Sequence, residues 1–105
     1  MTKVNDLKLG TFMVIRVDGT ESLIEEQPTI RKVYVAIGCD VIDTVILVRN
    51  GNGETADIVM MVDDCGMIDG KPVNPKATEL YHSVCRPGAG SIHGDVAIVR
   101  DEDFA

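Results

Sequence analysis

The hydrophobic positions of this chain fall into short runs of two different periods. From Phe12 to Val17 they alternate, with Met13, Ile15 and Val17 on one side and Phe12, Val14 and Arg16 on the other, which predicts a β-strand. Asp18-Gly19 signals a turn, and Glu21 to Gln27 predicts an acidic, exposed edge strand returning beside the first. Pro28 and Thr29 then precede Ile30, Val33, Tyr34 and Ile37, the spacing of one face of a short helix that Gly38 is placed to end. Its β-branched residues keep a strand open as the alternative.

The clearest pattern is a hairpin of Val41–Arg49 and Thr55–Asp63 around Asn50-Gly51-Asn52-Gly53, residues that tolerate positive φ in a tight turn. Ile42, Thr44, Ile46 and Val48 line one face of its first strand, and Ala56, Ile58, Met60 and Val62 one face of its second. The opposite faces mix Asp43, Arg49, Thr55 and Asp57 with Val45, Leu47, Val59 and Met61, which asks for cover by a helix or by another subunit.

Asp63-Asp64-Cys65-Gly66 and Asp69-Gly70-Lys71-Pro72 turn the chain twice. Asn74 is a good N-cap, Pro75 suits the first helical position, and Ala77, Leu80, Tyr81, Val84 and Cys85 form an apolar stripe that Pro87-Gly88 stops. Ile92 to Arg100 predicts a last strand before the acidic tail 101–105. The expected architecture is a single α+β domain over 1–105 with a loose N-terminus (1–10): a mostly antiparallel sheet of four to five strands with two short helices packed on one face.

Composition narrows this picture. Apolar residues make up 45% of the 105 positions, but aromatics only 4%, so the core is aliphatic. A domain of this size buries roughly two-thirds of its unfolded surface and folds without staples. No apolar run reaches the roughly 20 residues of a membrane helix, and the N-terminal residues lack the apolar stretch of a secretion signal, so a cytoplasmic protein is expected. Cys39, Cys65 and Cys85 are widely separated, with no zinc-ligand spacing, and read as free thiols.

Net charge is −7, which repels DNA and RNA as general partners. The charge is uneven. Between Lys71 and Arg100 four bases (Lys71, Lys76, Arg86, Arg100) face two acids (Glu79, Asp95), giving +2 there and −9 elsewhere, and both histidines lie in that stretch.

The second half resembles an uncharacterised domain family frequent in phage and plasmid genomes. The likeness is carried by Asp63-Asp64-Cys65-Gly66, by Lys71-Pro72-Val73-Asn74-Pro75-Lys76-Ala77-Thr78-Glu79-Leu80-Tyr81, and by Ile92-His93-Gly94-Asp95-Val96-Ala97-Ile98-Val99 with Asp103-Phe104. The resemblance implies a viral or mobile-element accessory protein in the cytoplasm of an infected bacterium, and it brings no catalytic residues.

Several constellations are candidates for chemistry. The helix start at Asn74-Pro75-Lys76, with Lys71, suits an anion, but Pro75 supplies no donor there and an ordinary capped helix with solvated lysines is the plainer reading. The loop Arg86-Pro87-Gly88-Ala89-Gly90-Ser91, with His93, is no P-loop but is able to wrap a ligand; its other reading is a plain turn. His93 and Asp95, with Asp63, Asp64 or His82, would make a metal site without a recognised spacing. No Gly-x-Ser-x-Gly elbow is present, and Cys85 sits on an apolar face. Tyr34 and Tyr81 read as core residues, or as a platform on which a base stacks.

The resulting ligand-binding set is Lys71, Asn74, Lys76, Tyr81, His82, Arg86 and His93, with no catalytic residue, metal or cofactor. The expected function is that of a phage-encoded, non-catalytic, homo-oligomeric protein that sequesters a small anionic host molecule such as a cyclic nucleotide immune signal. One alternative is an acidic protein–protein inhibitor or nucleic-acid mimic that uses the tail Asp101-Glu102-Asp103; another is a small metal-dependent enzyme.

Overall fold

Three runs in this chain, Phe12–Ile15, Ile58–Val62 and Val96–Val99, are apolar at every position. Because side chains of a strand alternate between faces, such runs need apolar cover on both sides. The computed structural model, which describes residues 7–39, 41–48, 58–85, 90–100 and 103, supplies it.

The strands are β1 (Phe12–Ile15), β2 (Glu21–Ile24), β3 (Ile42–Val48), β4 (Ile58–Asp63) and β5 (Val96–Arg100), and the helices are α1 (Ile30–Ile37) and α2 (Pro75–Val84). All strand pairs are antiparallel, in the order β2-β1-β5-β4-β3, so the fully apolar runs are the three inner strands.

The fold is therefore α+β, a five-stranded antiparallel sheet with two helices. The helices do not share a face. Val33 and Ile37 of α1 pack on Phe12, Val14, Val59, Met61, Ala97 and Val99. Ala77, Leu80 and Tyr81 of α2 pack on the alternate set, Met13, Ile15, Met60, Val62, Val96 and Ile98. A single helical layer would have left one of these sets in water.

This second layer also answers the demand for cover from the hairpin. Val59 and Met61 lie under α1, and Val45 and Leu47 pack on the α2 side. Register differs from the simple alternation. Thr44 opposes Met61 and Val45 opposes Met60, and a shift between Ile46 and Val48 turns Val48 to Ile58 on the α2 side. The predicted turn at Asn50–Gly53 lies outside the described residues, as do Arg49 and 55–57.

The helix ends follow their capping residues. The Thr29 hydroxyl accepts the Lys32 N–H at 3.1 Å, and Gly38 closes α1 at φ 65° with its N–H on the Tyr34 carbonyl. That left-handed position suits glycine and ends the strand alternative for this segment.

Two expectations about the chain's flanks change. Leu7 is not loose: it is buried in the α2-side core, and the Arg100 guanidinium donates to its carbonyl at 3.1 Å. The last strand begins at Val96, not at Ile92, because Gly94 takes φ 91° and breaks the extended run; His93 instead makes an isolated bridge to Val73.

Candidate functional site

Of the residues expected to bind a ligand, the fold brings together Lys71, Asn74 and His93. They lie where the 71–74 segment runs beside 92–94, tied by Asn74 N–H to the Ile92 carbonyl (2.8 Å) and Gly94 N–H to the Pro72 carbonyl (2.9 Å). Each is engaged within the fold. Asn74 is fully buried; its amide donates to the Ile15 and Gly94 carbonyls at 3.0 Å each, and its Oδ1 accepts the Ala77 N–H at 3.1 Å. The N-cap of α2 thus pins the helix to β1 and to the 92–95 segment at once.

His93 Nδ1 lies 2.8 Å from the Lys71 carbonyl, which can only accept, so Nδ1 carries the proton. In the neutral ring Nε2 then accepts from the Ser91 hydroxyl, also at 2.8 Å. A hydroxyl, an imidazole and an orienting carbonyl resemble the start of a hydrolytic centre. The neighbouring Ile92 N–H, however, donates to Thr78 Oγ1 at 2.9 Å, so it is not available as an oxyanion donor beside Ser91.

Lys71 is drawn inward. Its ammonium stands 2.5 Å from Asp63 Oδ2, which is otherwise without a donor among the described residues, and donates to the Gly38 carbonyl at 2.6 Å. The Asp63 carboxylate holds the Lys71 ammonium above the ordinary lysine value, against a smaller opposing effect of burial. Lys76 pairs with Glu21 of β2 at 2.9 Å, 55 residues away in sequence. Asp95, which the sequence pairs with His93, turns elsewhere and accepts the Val17 N–H at 3.0 Å. Among the described residues no group of three His, Cys, Asp or Glu side chains is placed to hold a metal ion.

Tyr81 and His82 lie in the C-terminal half of α2. His82 is exposed, with Nε2 2.9 Å from the Gly90 carbonyl, and Arg86 lies outside the described residues. Tyr81 lines a groove of about 440 Å³ between β3, α2 and residues 90–92. That volume lies in the range of small-molecule sites.

The groove's walls are aliphatic (Val45, Val62, Val84 and Ile92), and its polar side chains besides Tyr81 are Asp43 and Ser91. Thr44 and Ile46, whose register partners Met61 and Val59 lie under α1, border it from the β3 edge. Asp43 accepts the Thr44 N–H at 2.9 Å, closing an amide at the open edge of the sheet. Sequence reasoning placed Tyr81 correctly on the inner face of α2, but it passed over Asp43 and Thr44. Their signal was the interruption of an apolar strand by two polar residues.

The molecule is thus a small three-layered α+β protein with a ligand-sized surface groove at one sheet edge. No protein-family model, no curated protein and no solved structure matches this chain. No helix among the described residues is long and apolar enough to cross a membrane.

Proposed function

We propose that this chain is a non-catalytic binding protein that holds a small molecule in the groove between β3, α2 and residues 90–92. The observation that carries this reading is the pairing of one aromatic ring, Tyr81, with aliphatic walls, the Ser91 hydroxyl and the Asp43 carboxylate. That is the chemistry of a site for a flat, partly apolar ligand with hydrogen-bonding edges. On a mobile genetic element such a protein would sequester a host signal, and a nucleotide would be gripped by its base.

The anion expected from the sequence draws less support. Lys71 and Lys76 already face Asp63 and Glu21, and the one charged side chain among the described residues lining the groove is Asp43. Recognition of the base therefore outweighs recognition of the phosphate.

Calorimetric titration with adenosine, guanosine and their cyclic mono- and dinucleotides tests this. Nucleosides are expected to bind about as well as the phosphorylated forms. Tyr81→Ala should weaken binding by roughly tenfold, the lower range of one lost stacking contact. Binding of every nucleoside and nucleotide weaker than about 1 mM, some 4 kcal/mol, would end the proposal.

A further inference from the structure

We propose that the turn from Asp64 to Gly70 is a preorganised knuckle that docks onto a partner protein whose apolar surface is rimmed by lysine or arginine. This proposal does not rest on the groove. Its first observation is exposure: Met67 and Ile68, adjacent at the turn, are 61% and 86% exposed. Val41, whose carbonyl accepts the Asp64 N–H, and Val73, bridged to His93, add half-exposed apolar surface at the base. Single exposed apolar residues need no explanation, but a group on one protrusion does.

The second observation is that the turn is locked. Asp63 accepts the Gly66 N–H through its carbonyl (3.1 Å) and the Cys65 N–H through its carboxylate (2.9 Å). The Asp69, Gly70 and Lys71 amides then donate to the Cys65, Met67 and Gly66 carbonyls at 2.8, 3.2 and 2.9 Å. Gly66 is buried so closely on the next segment that a β-carbon there would stand 2.5 Å from the His93 carbonyl oxygen. Lys71 completes the clamp by joining Asp63 to the end of α1. The two apolar side chains are thus held outward on a rigid base, which reduces the ordering cost of binding.

The third observation is charge, and it selects the partner. Asp64 and Asp69 flank the tip and are exposed, while Lys71, the base that directly follows the turn, is neutralised by Asp63. The protrusion is apolar at its centre and negative at its rim. A phosphate-bearing surface meets Asp64 and Asp69 with like charge, and so does the same rim of a second copy. An apolar patch surrounded by Lys or Arg is the complementary surface.

The probe is a synthetic amphipathic helix of leucine and lysine, with a leucine–glutamate helix of the same pattern as control, each titrated into the ¹⁵N-labelled protein. The lysine peptide should shift the amides of residues 64–71 ahead of all others, and the glutamate peptide should shift none. Met67→Ser/Ile68→Ser should weaken binding at least tenfold with an unchanged melting temperature. Asp64→Asn/Asp69→Asn should weaken it less and flatten its salt dependence. Shifts centred elsewhere, equal binding of the glutamate peptide, or unaltered affinity in the serine variant would each overturn the proposal.

Discussion

At the scale of single residues, four side chains that look functional in the sequence, Lys71, Asn74, Lys76 and His93, are engaged in holding this fold together. Asn74 is the sharpest case. Asn74→Ala would remove a helix cap and leave the Ile15 and Gly94 carbonyls short of a donor in a buried site. The expected loss is about 3 kcal/mol, measured by urea titration, with the m-value unchanged. Lys71 adds a pH dependence. Its folded pKa is raised above 10.5, so its contribution is fully present below that value and is lost as pH rises through the folded pKa. Melting curves should fall on the alkaline side of 10.5 in the wild-type chain, and Lys71→Met should flatten that fall while lowering stability at neutral pH. The chemistry of these residues was legible, but their partners were not. Lys76 meets Glu21 and Asn74 meets Ile15 across 55 and 59 residues, and a cluster of bases along the chain does not reveal which acids fold against it.

At the scale of elements, periodicity located every strand and both helices but misjudged how they stack. The decisive clue was present. Phe12–Ile15, Ile58–Val62 and Val96–Val99 do not alternate in polarity, and a strand without a polar side has no side for water. Strand register was less accessible, because the shift between Ile46 and Val48 moves Val48 to the opposite face without any Gly or Pro to announce it. The open edge at β3 carries its own protection in Asp43, which occupies the Thr44 amide. Asp43→Val should therefore expose a pairing edge and raise self-association, seen as a concentration-dependent rise in sedimentation coefficient. An unchanged sedimentation profile would mean that other edge residues supply the protection.

At the scale of the molecule, the two flanks of the chain are joined. Asp103 accepts the Gly10 N–H at 3.2 Å through Oδ1 and 3.3 Å through Oδ2, and Gln27 donates to its Oδ1 at 3.0 Å. Of the acidic tail expected to serve an inhibitor or nucleic-acid mimic, Asp103 is thus engaged within the fold, and nothing local in the sequence marks it as different from Asp101. Asp103→Ala is expected to cost about 1–2 kcal/mol by loss of a charge-assisted bond. Thermal melting checks it, and a neutral result would free the tail for a partner. Any functional assay of a tail deletion must first be corrected for this loss of stability.

The same clasp governs how the molecule responds to force. β1 begins and β5 ends at one rim of the sheet, since Met13 opposes Ile98 and Ile15 opposes Val96. Tension applied through Gly10 and Asp103 loads the rim pair first, and the hydrogen bonds between these central strands then open one after another, as in a zipper. Shearing, which would load them together, is not available in this geometry. When the two flanks are drawn apart, the β1–β5 boundary therefore yields bond by bond, whereas a pull on the carboxyl flank alone peels β5 from β1 and β4 together.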